Sequence, residues 1–237
     1  MKCIIIGAGG HGRVVLDILL SSGVHEVIGF VDSNPNLHGR RTDGLPVLGG
    51  LEALPALRKN GAAGAIIAIG DNGVRTDFAR RVEALGIVLV NAVHPSANLA
   101  RTVTLGRNVV VAAGALVCAH CQIGDSVILN TGCIIDHECK IGTAVHICPG
   151  VRLAGHVTVD AGTHVGIGAT VIQDLHIRTE AVVGAGAVVI QDVPARTTVV
   201  GVPARPVVTR LPARPVVDRI AVPARQPPYR KPVPAGS

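Results

Sequence analysis

Residues 123–141 read IGDSVILNTGCIIDHECKI, and a branched aliphatic residue returns at every sixth position. The same spacing runs without an insertion from Val93 to Val189, so seventeen aliphatic residues share one register. A second register, four residues after each of these, holds mostly small or short side chains from Ala115 onward. Neither the helical period of about 3.6 nor the strand period of about 2 produces a strict six. The pattern therefore predicts hexapeptide repeats, the signature of a parallel β-helix.

Three six-residue sides make a coil of eighteen residues, so residues eighteen apart should stack about 4.8 Å above each other. We expect the aliphatic residue to point inward and the small residue to fill the tight corner. Stacked aliphatic side chains then form a dry core without aromatic rings. This accounts for a chain of 237 residues with no Trp, two Phe and one Tyr. We predict this β-helix domain over residues 93–201.

Residues 1–92 follow a different pattern, in which short apolar runs alternate with amphipathic stretches. This alternation predicts a small α/β domain with a parallel sheet, about half of a Rossmann fold in a βαβαβ-like order. The predicted strands are 3–6, 27–31, 65–69 and 87–90, and the predicted helices are 13–20, 51–58 and 74–85.

The first predicted strand runs into the loop GAGGHG at residues 7–12, and Asp32 ends the second strand twenty residues past Gly12. Glycines permit a tight turn, and the N-terminus of the following helix presents free N–H groups to a phosphate. NAD is one candidate ligand. Because the sheet is only half of a dinucleotide fold, a mononucleotide diphosphate such as the head of a nucleotide-sugar suits it better. A glycine turn that binds nothing is the third possibility.

Charge and proline distinguish the body of the chain from its tail. Residues 1–201 carry 15 Lys and Arg against 15 Asp and Glu, whereas residues 202–237 carry seven against one and hold nine of the fifteen prolines. The basic character is thus no evidence for nucleic-acid binding. We predict an extended or disordered tail over residues 202–237. With no run of about eighteen apolar residues and no signal-peptide pattern, we expect no membrane span and a cytoplasmic location.

Six cysteines raise the question of disulfides or zinc. Three of them, Cys121, Cys133 and Cys139, occupy the small register of the repeat, so they are interpreted as buried small hydrophobes. The spacing of Cys118 and Cys121 matches a metal or redox motif, but residues three apart on a strand face opposite ways. We therefore expect no metal site.

The most polar part of the repeat holds Asn130, Asp136, His137, Glu138 and His146. A His beside a carboxylate is the pairing that makes a general base, because the carboxylate supports the imidazolium formed on proton uptake. A solvated polar corner is the alternative.

His164 should stack one coil beyond His146, either as a ligand pair or as a coincidence of the repeat. The rings of His120, His156 and His176 have no comparable partner in the sequence and are assigned to surface or corner packing.

Several motifs in order are similar to one bacterial family, the sialic acid O-acetyltransferases and nucleotide-4-amino-sugar N-acetyltransferases, over about residues 1–205. The motifs are GAGGHG at 7–12, FVD at 30–32, AIGDN at 68–72, ILNTG at 128–132, IDHECKIG at 135–142, GIGATV at 166–171, GAGAVV at 184–189 and GVPAR at 201–205. The resemblance implies a left-handed β-helix and a homotrimer with active sites between subunits.

The resemblance also implies roles for individual residues. His137 matches the general base and Glu138 the adjacent carboxylate. The positions matching the acetyl-CoA groove are His146, Ile167, Gly184 and Ala185. The positions assigned to the nucleotide-sugar are Gly9, Gly10, His11, Asp32, Ser33, Gly70 and Asn130.

The implied activity is transfer of acetyl from acetyl-CoA to the amine of a nucleotide-linked 4-amino-4,6-dideoxy sugar, without a covalent acyl-enzyme. Two alternatives stay open: O-acetylation of a sugar hydroxyl, as with sialic acid, and a non-catalytic scaffold that binds a nucleotide or NAD.

Overall fold

A computed structural model describes residues 1–207, which pack together as one compact unit. The tail predicted for residues 202–237 lies outside the described residues from position 208 onward. The described chain begins with an α/β sheet and continues as a three-sided solenoid of parallel strands, so the predicted fold class is confirmed. Within it no helix is long and apolar enough to cross a bilayer.

The α/β part is a four-stranded parallel sheet in the order β2-β1-β5-β6, with a small hairpin at its edge. Its elements are β1 (Lys2–Ile6), α1 (Gly10–Ser22), β2 (Glu26–Val31), β3 (Arg41–Thr42), β4 (Leu45–Pro46), α2 (Leu54–Lys59), β5 (Gly64–Ile67), α3 (Asn72–Ala84) and β6 (Val88–Leu89). The predicted helix 51–58 is divided into a 3₁₀ turn, Leu51–Ala53, and α2, since Pro55 suits the first turn of a new helix. A second 3₁₀ turn spans Pro35–Leu37.

The solenoid strands are mostly two residues long and lie on three sides of a prism. They are Ala92–Val93, Asn98–Leu99, Thr104–Leu105, Val110–Val111, Leu116–Val117, Gln122–Ile123, Ile128–Leu129, Ile134–Ile135, Lys140–Ile141, His146–Ile147, Arg152–Leu153, Thr158–Val159, His164–Val165, Thr170–Val171, His176–Ile177, Val182–Val183, Val188–Val189, Thr198–Val200 and Arg205–Pro206.

The register of the solenoid follows the sequence repeat. Strands pair eighteen residues apart up to Val189, as in the ladder from Val110 through Ile128 to His146. The six-residue aliphatic register from Val111 to Val189 is buried, and so are Cys121, Cys133 and Cys139 in the small register. Stacking of these side chains removes almost all of their apolar surface from water, which is the main source of stability here. The inward-facing prediction is confirmed.

The α/β unit packs on one side of the prism. Val15, Ile18 and Leu19 of α1 join a buried cluster with Val110 and Ile128, which face outward from the eight-stranded sheet of the solenoid. His146 and His164 occupy the same outward-facing position in the next two strands of this sheet. The same packing that holds the two parts together therefore brings two imidazoles towards the glycine loop.

Candidate active site

A cavity of about 370 Å³ lies at the carboxyl ends of β1, β2 and β5. Six of the seven residues assigned to the nucleotide-sugar line it: Gly9, Gly10, His11, Asp32, Ser33 and Gly70. The seventh, Asn130, is on the solenoid, where its Nδ2 atom lies 3.3 Å from Nε2 of His146.

The geometry of the loop explains two of its glycines. Gly7 has φ +110°, and a Cβ on Gly12 would lie 1.9 Å from the Gly7 carbonyl oxygen. Only glycine fits such contacts. Gly9 caps α1 and has open space around it, so the first N–H groups of α1 can reach a phosphate in the cavity.

Asp32 holds the glycine loop in place. Its Oδ2 accepts a hydrogen bond from the Ala8 N–H at 2.7 Å, and its Oδ1 accepts one from the Asn34 N–H at 2.8 Å. In a dinucleotide site the acidic residue at this place binds the ribose hydroxyls. Here each carboxylate oxygen accepts one backbone N–H and keeps a second lone pair, so Asp32 can still bind a ribose hydroxyl and does not decide between NAD and a nucleotide-sugar.

A buried arginine joins this cavity to the solenoid. Arg75 of α3 is 0% exposed, and its guanidinium donates to the carbonyl oxygens of Ser126, Ala144, Ile69 and Gly70. It also donates to the side-chain amide oxygen of Asn72, so its partners are neutral acceptors. Burial lowers the pKa of Arg75 to about 10, which leaves it charged at neutral pH.

Three imidazoles surround this charge. Burial, with help from Arg75, lowers the pKa of His11 to about 4. Burial, followed by the charges of His164 and Arg75, lowers that of His146 to about 4, and burial and Arg75 also lower the pKa of His164. The rings of His146 and His164 meet edge to face at 5.1 Å. At neutral pH this cluster is uncharged apart from Arg75, so it is suited to hydrogen bonding rather than to proton uptake.

Among residues 1–207, two groups of side chains have ligand atoms close enough together for a metal ion. The first is His146, Cys148 and His164, where Cys148 Sγ lies 3.3 Å from His164 Nε2. The nearby guanidinium of Arg75 opposes a cation there, and burial raises the pKa of the Cys148 thiol to about 11. The second group is His137, Glu138 and His156.

The second group stands on an outer corner of the prism, between the sheets that contain Ile134–Ile135 and Lys140–Ile141. His137 Nδ1 lies 3.1 Å from Glu138 Oε2, and both side chains are about half exposed, at 50% and 49%. A carboxylate oxygen can only accept, so the ring nitrogen facing it carries the proton. His137 Nε2 is then left with its lone pair and can accept a proton from a substrate.

His156 and His176 are at least partly exposed, in agreement with their assignment to surface or corner packing, but each lies near a carboxylate that the sequence analysis did not identify. His156 Nε2 lies 3.2 Å from the same Oε2 atom of Glu138, and His176 Nε2 lies 2.8 Å from Asp160 Oδ2. The eighteen-residue stacking brings both partners into range. Glu138 stands eighteen residues before His156. Asp160 stands two residues after Thr158, the residue eighteen before His176.

The residues assigned to the acetyl-CoA groove fall in two places. His146 belongs to the buried cluster. Ile167, Gly184 and Ala185 lie at another corner of the prism, where the Gly186 N–H donates to the Ile167 carbonyl oxygen across one coil. Ile167 is 60% exposed, and a Cβ on Gly168 or Gly186 would meet nothing within 4 Å. This edge of the prism is open and exposes an aliphatic side chain.

Sequence reasoning missed Arg75. A signal was available, since Arg75, Ala79 and Val82 share the i, i+4, i+7 spacing of the buried face of α3. A charged residue in that row predicts a buried and fully hydrogen-bonded group.

Comparisons with known proteins show which chains this one is similar to. The family described as PglD N-terminal domain matches residues 2–82. The crystal structure of PerB from Caulobacter crescentus with CoA and GDP-perosamine is 41% identical, with a TM-score of 0.83 over 87% of this chain and 97% of that one. A search of curated protein sequences found no match.

Two further solved structures are similar. The acetyltransferase domain of PglB from Neisseria gonorrhoeae FA1090 with acetyl coenzyme A is 34% identical, with a TM-score of 0.82 over 87% of this chain and 98% of that one. WeeI from Acinetobacter baumannii AYE is 26% identical, with a TM-score of 0.78 over 87% of this chain and 100% of that one.

Proposed function

The chain belongs to the family of sugar N-acetyltransferases that includes PerB and PglB, and we propose that it transfers the acetyl group of acetyl-CoA to the amine of a nucleotide-linked amino-sugar. The observation that carries the proposal is 41% identity over 97% of a chain solved with CoA and GDP-perosamine. The phosphate-binding loop and the exposed His137–Glu138 pair supply the two elements that this reaction requires.

The catalytic step follows from the protonation of the pair. His137 Nε2 takes a proton from the amine as the nitrogen forms its bond to the thioester carbonyl carbon. Glu138 stabilises the resulting imidazolium through Nδ1. When the C–S bond breaks, His137 returns the proton to the CoA sulfur, so the residue ends in its starting state.

The buried cluster has a binding role in this proposal. His11 lines the cavity, and Nε2 of His11 and Nδ1 of His146 are buried without a hydrogen-bond partner in residues 1–207. Such atoms are costly unless a ligand or water engages them. We assign His11, with Gly9, Gly10, Asp32, Ser33 and Gly70, to the nucleotide-sugar, and His146 and Asn130 to the region where the two substrates meet.

We also propose that three copies assemble with each active site between neighbours. The cavity lies where the α/β unit covers one side of the prism, whereas His137 stands on the corner that joins the other two sides. One chain alone thus separates the general base from its substrate pocket. Light scattering should give the mass of three chains; a monomer that turns over at full rate contradicts the arrangement.

We place the enzyme in the cytoplasm. All six cysteines are free thiols, as expected in a reducing compartment. Cell fractionation with antibody detection tests this location.

The experiment for the function is a substrate screen. GDP-, UDP- and dTDP-linked 4-amino-sugars and free sialic acid are each incubated with acetyl-CoA, and release of the CoA thiol is followed. We expect turnover with one nucleotide-linked amine. Turnover with sialic acid alone indicates O-acetylation. A melting temperature raised by NAD and not by acetyl-CoA indicates the binding scaffold.

A further inference from the structure

The coil that follows His137 holds two residues that fix the position of its ring, and we propose that Gly155 and His156 are positioning residues for the general base. The inference rests on the role of His137 in the proposed function. Gly155 and His156 stand eighteen residues, or one coil, after His137 and Glu138. The His156 N–H donates to the His137 carbonyl oxygen at 2.9 Å. The backbone ladder therefore keeps them in register with His137 and Glu138.

Gly155 provides the surface on which the imidazole rests. A Cβ at this position would lie 2.5 Å from Cε1 and 2.7 Å from Nε2 of His137. Real Cβ atoms do not approach so closely, so any side chain at 155 displaces the ring. Gly155 is itself buried although its corner is exposed, which agrees with a ring lying over it.

His156 holds the carboxylate that orients the base. Oε2 of Glu138 accepts from His137 Nδ1 at 3.1 Å, and His156 Nε2 lies 3.2 Å from the same oxygen. The two rings meet edge to face at 5.1 Å and 88°. Because His156 stands against the same oxygen, the carboxylate cannot turn away from His137 without also leaving His156. His156 thereby keeps His137 in the tautomer whose Nε2 is free.

The test compares His156→Ala, His156→Gln and Gly155→Ala with the matched control His120→Ala, which changes the same corner position one coil before Glu138. We expect kcat to fall about tenfold in His156→Ala, with little change in either KM. His156→Gln retains an N–H donor and should recover most of the loss. Gly155→Ala should lower kcat by about 10²-fold, because a ring displaced by about 1 Å misses the amine. His120→Ala should match the parent enzyme.

An activity-independent measurement separates this inference from the proposed function. Nitrogen NMR of the His137 ring in the full chain should show the Nδ1–H tautomer, and His156→Ala should mix the tautomers. The inference is overturned if the tautomer is unchanged in His156→Ala, or if His156→Gln is no better than alanine. If the parent enzyme acetylates none of the acceptors, the proposed function fails, whereas the NMR result still decides the role of His156.

Discussion

The two histidine clusters of this chain are built from the same residue type and differ in their surroundings. His11, His146 and His164 lie against the buried guanidinium of Arg75, and burial and that charge lower their pKa values. His137 and His156 stand on an exposed corner and share a carboxylate. An imidazole beside a cation in a dry site stays neutral, whereas one beside a carboxylate in water can take up a proton. The proposed function accordingly gives binding to the first cluster and proton transfer to the second.

Removing the buried charge should have the largest effect on folding. Arg75→Met leaves several buried acceptors without a donor, so we expect the free energy of unfolding to fall by about 3–5 kcal/mol, or the chain not to fold. Urea denaturation measures this. The control is Arg81→Met, whose parent side chain is 62% exposed in an ion pair with Asp77 and should change stability by less than about 0.5 kcal/mol. Equal effects at the two positions would show that Arg75 does not join the two parts.

The second largest effect on the free energy of unfolding should come from acid, which protonates the buried histidines. The pKa values of His11 and His146 are about 4 in the folded chain against 6.5 when unfolded, so between these values the unfolded state binds more protons. Stability is therefore lost as the pH falls from about 6.5 to about 4, by up to about 3 kcal/mol for each ring. Replacing either residue with Gln should flatten this part of the curve of unfolding free energy against pH. If both variants keep the parent's slope of unfolding free energy against pH, the two rings are not buried in the neutral form.

A change at the exposed corner that holds His137 and Glu138 should have the smallest effect on stability, although it should still lower turnover. Glu138→Gln removes the charge from a half-exposed pair, so the unfolding free energy should change by less than about 0.5 kcal/mol. The same change should lower kcat by about tenfold, because the imidazolium loses its counter-charge. Parallel urea and kinetic measurements test the contrast; a large loss of stability would make Glu138 a structural residue.

The sequence predicted the solenoid well. Its six-residue period places one inward-facing aliphatic side chain on each side of the coil, and this requires no contact with the rest of the chain. The eighteen-residue stacking also predicted that His146 would lie beside His164, as observed. It did not predict the burial of Arg75, because this side chain meets carbonyl groups of the solenoid that lie 51 and 69 residues further along the chain. The approach of His156 to Glu138 was also missed, although the eighteen-residue spacing already stacks these two positions. The roles of His137 and the other site residues stay predictions.

Acetyl transfer by His137→Ala tests the central claim most directly. Turnover with the preferred nucleotide-linked amine should fall by about 10²- to 10⁴-fold. Calorimetry should find the Kd for acetyl-CoA within about twofold of the parent enzyme, because the replaced ring acts on the proton and not on the cofactor. Turnover equal to that of the parent enzyme would contradict the account, since a group other than His137 would then take the proton from the amine.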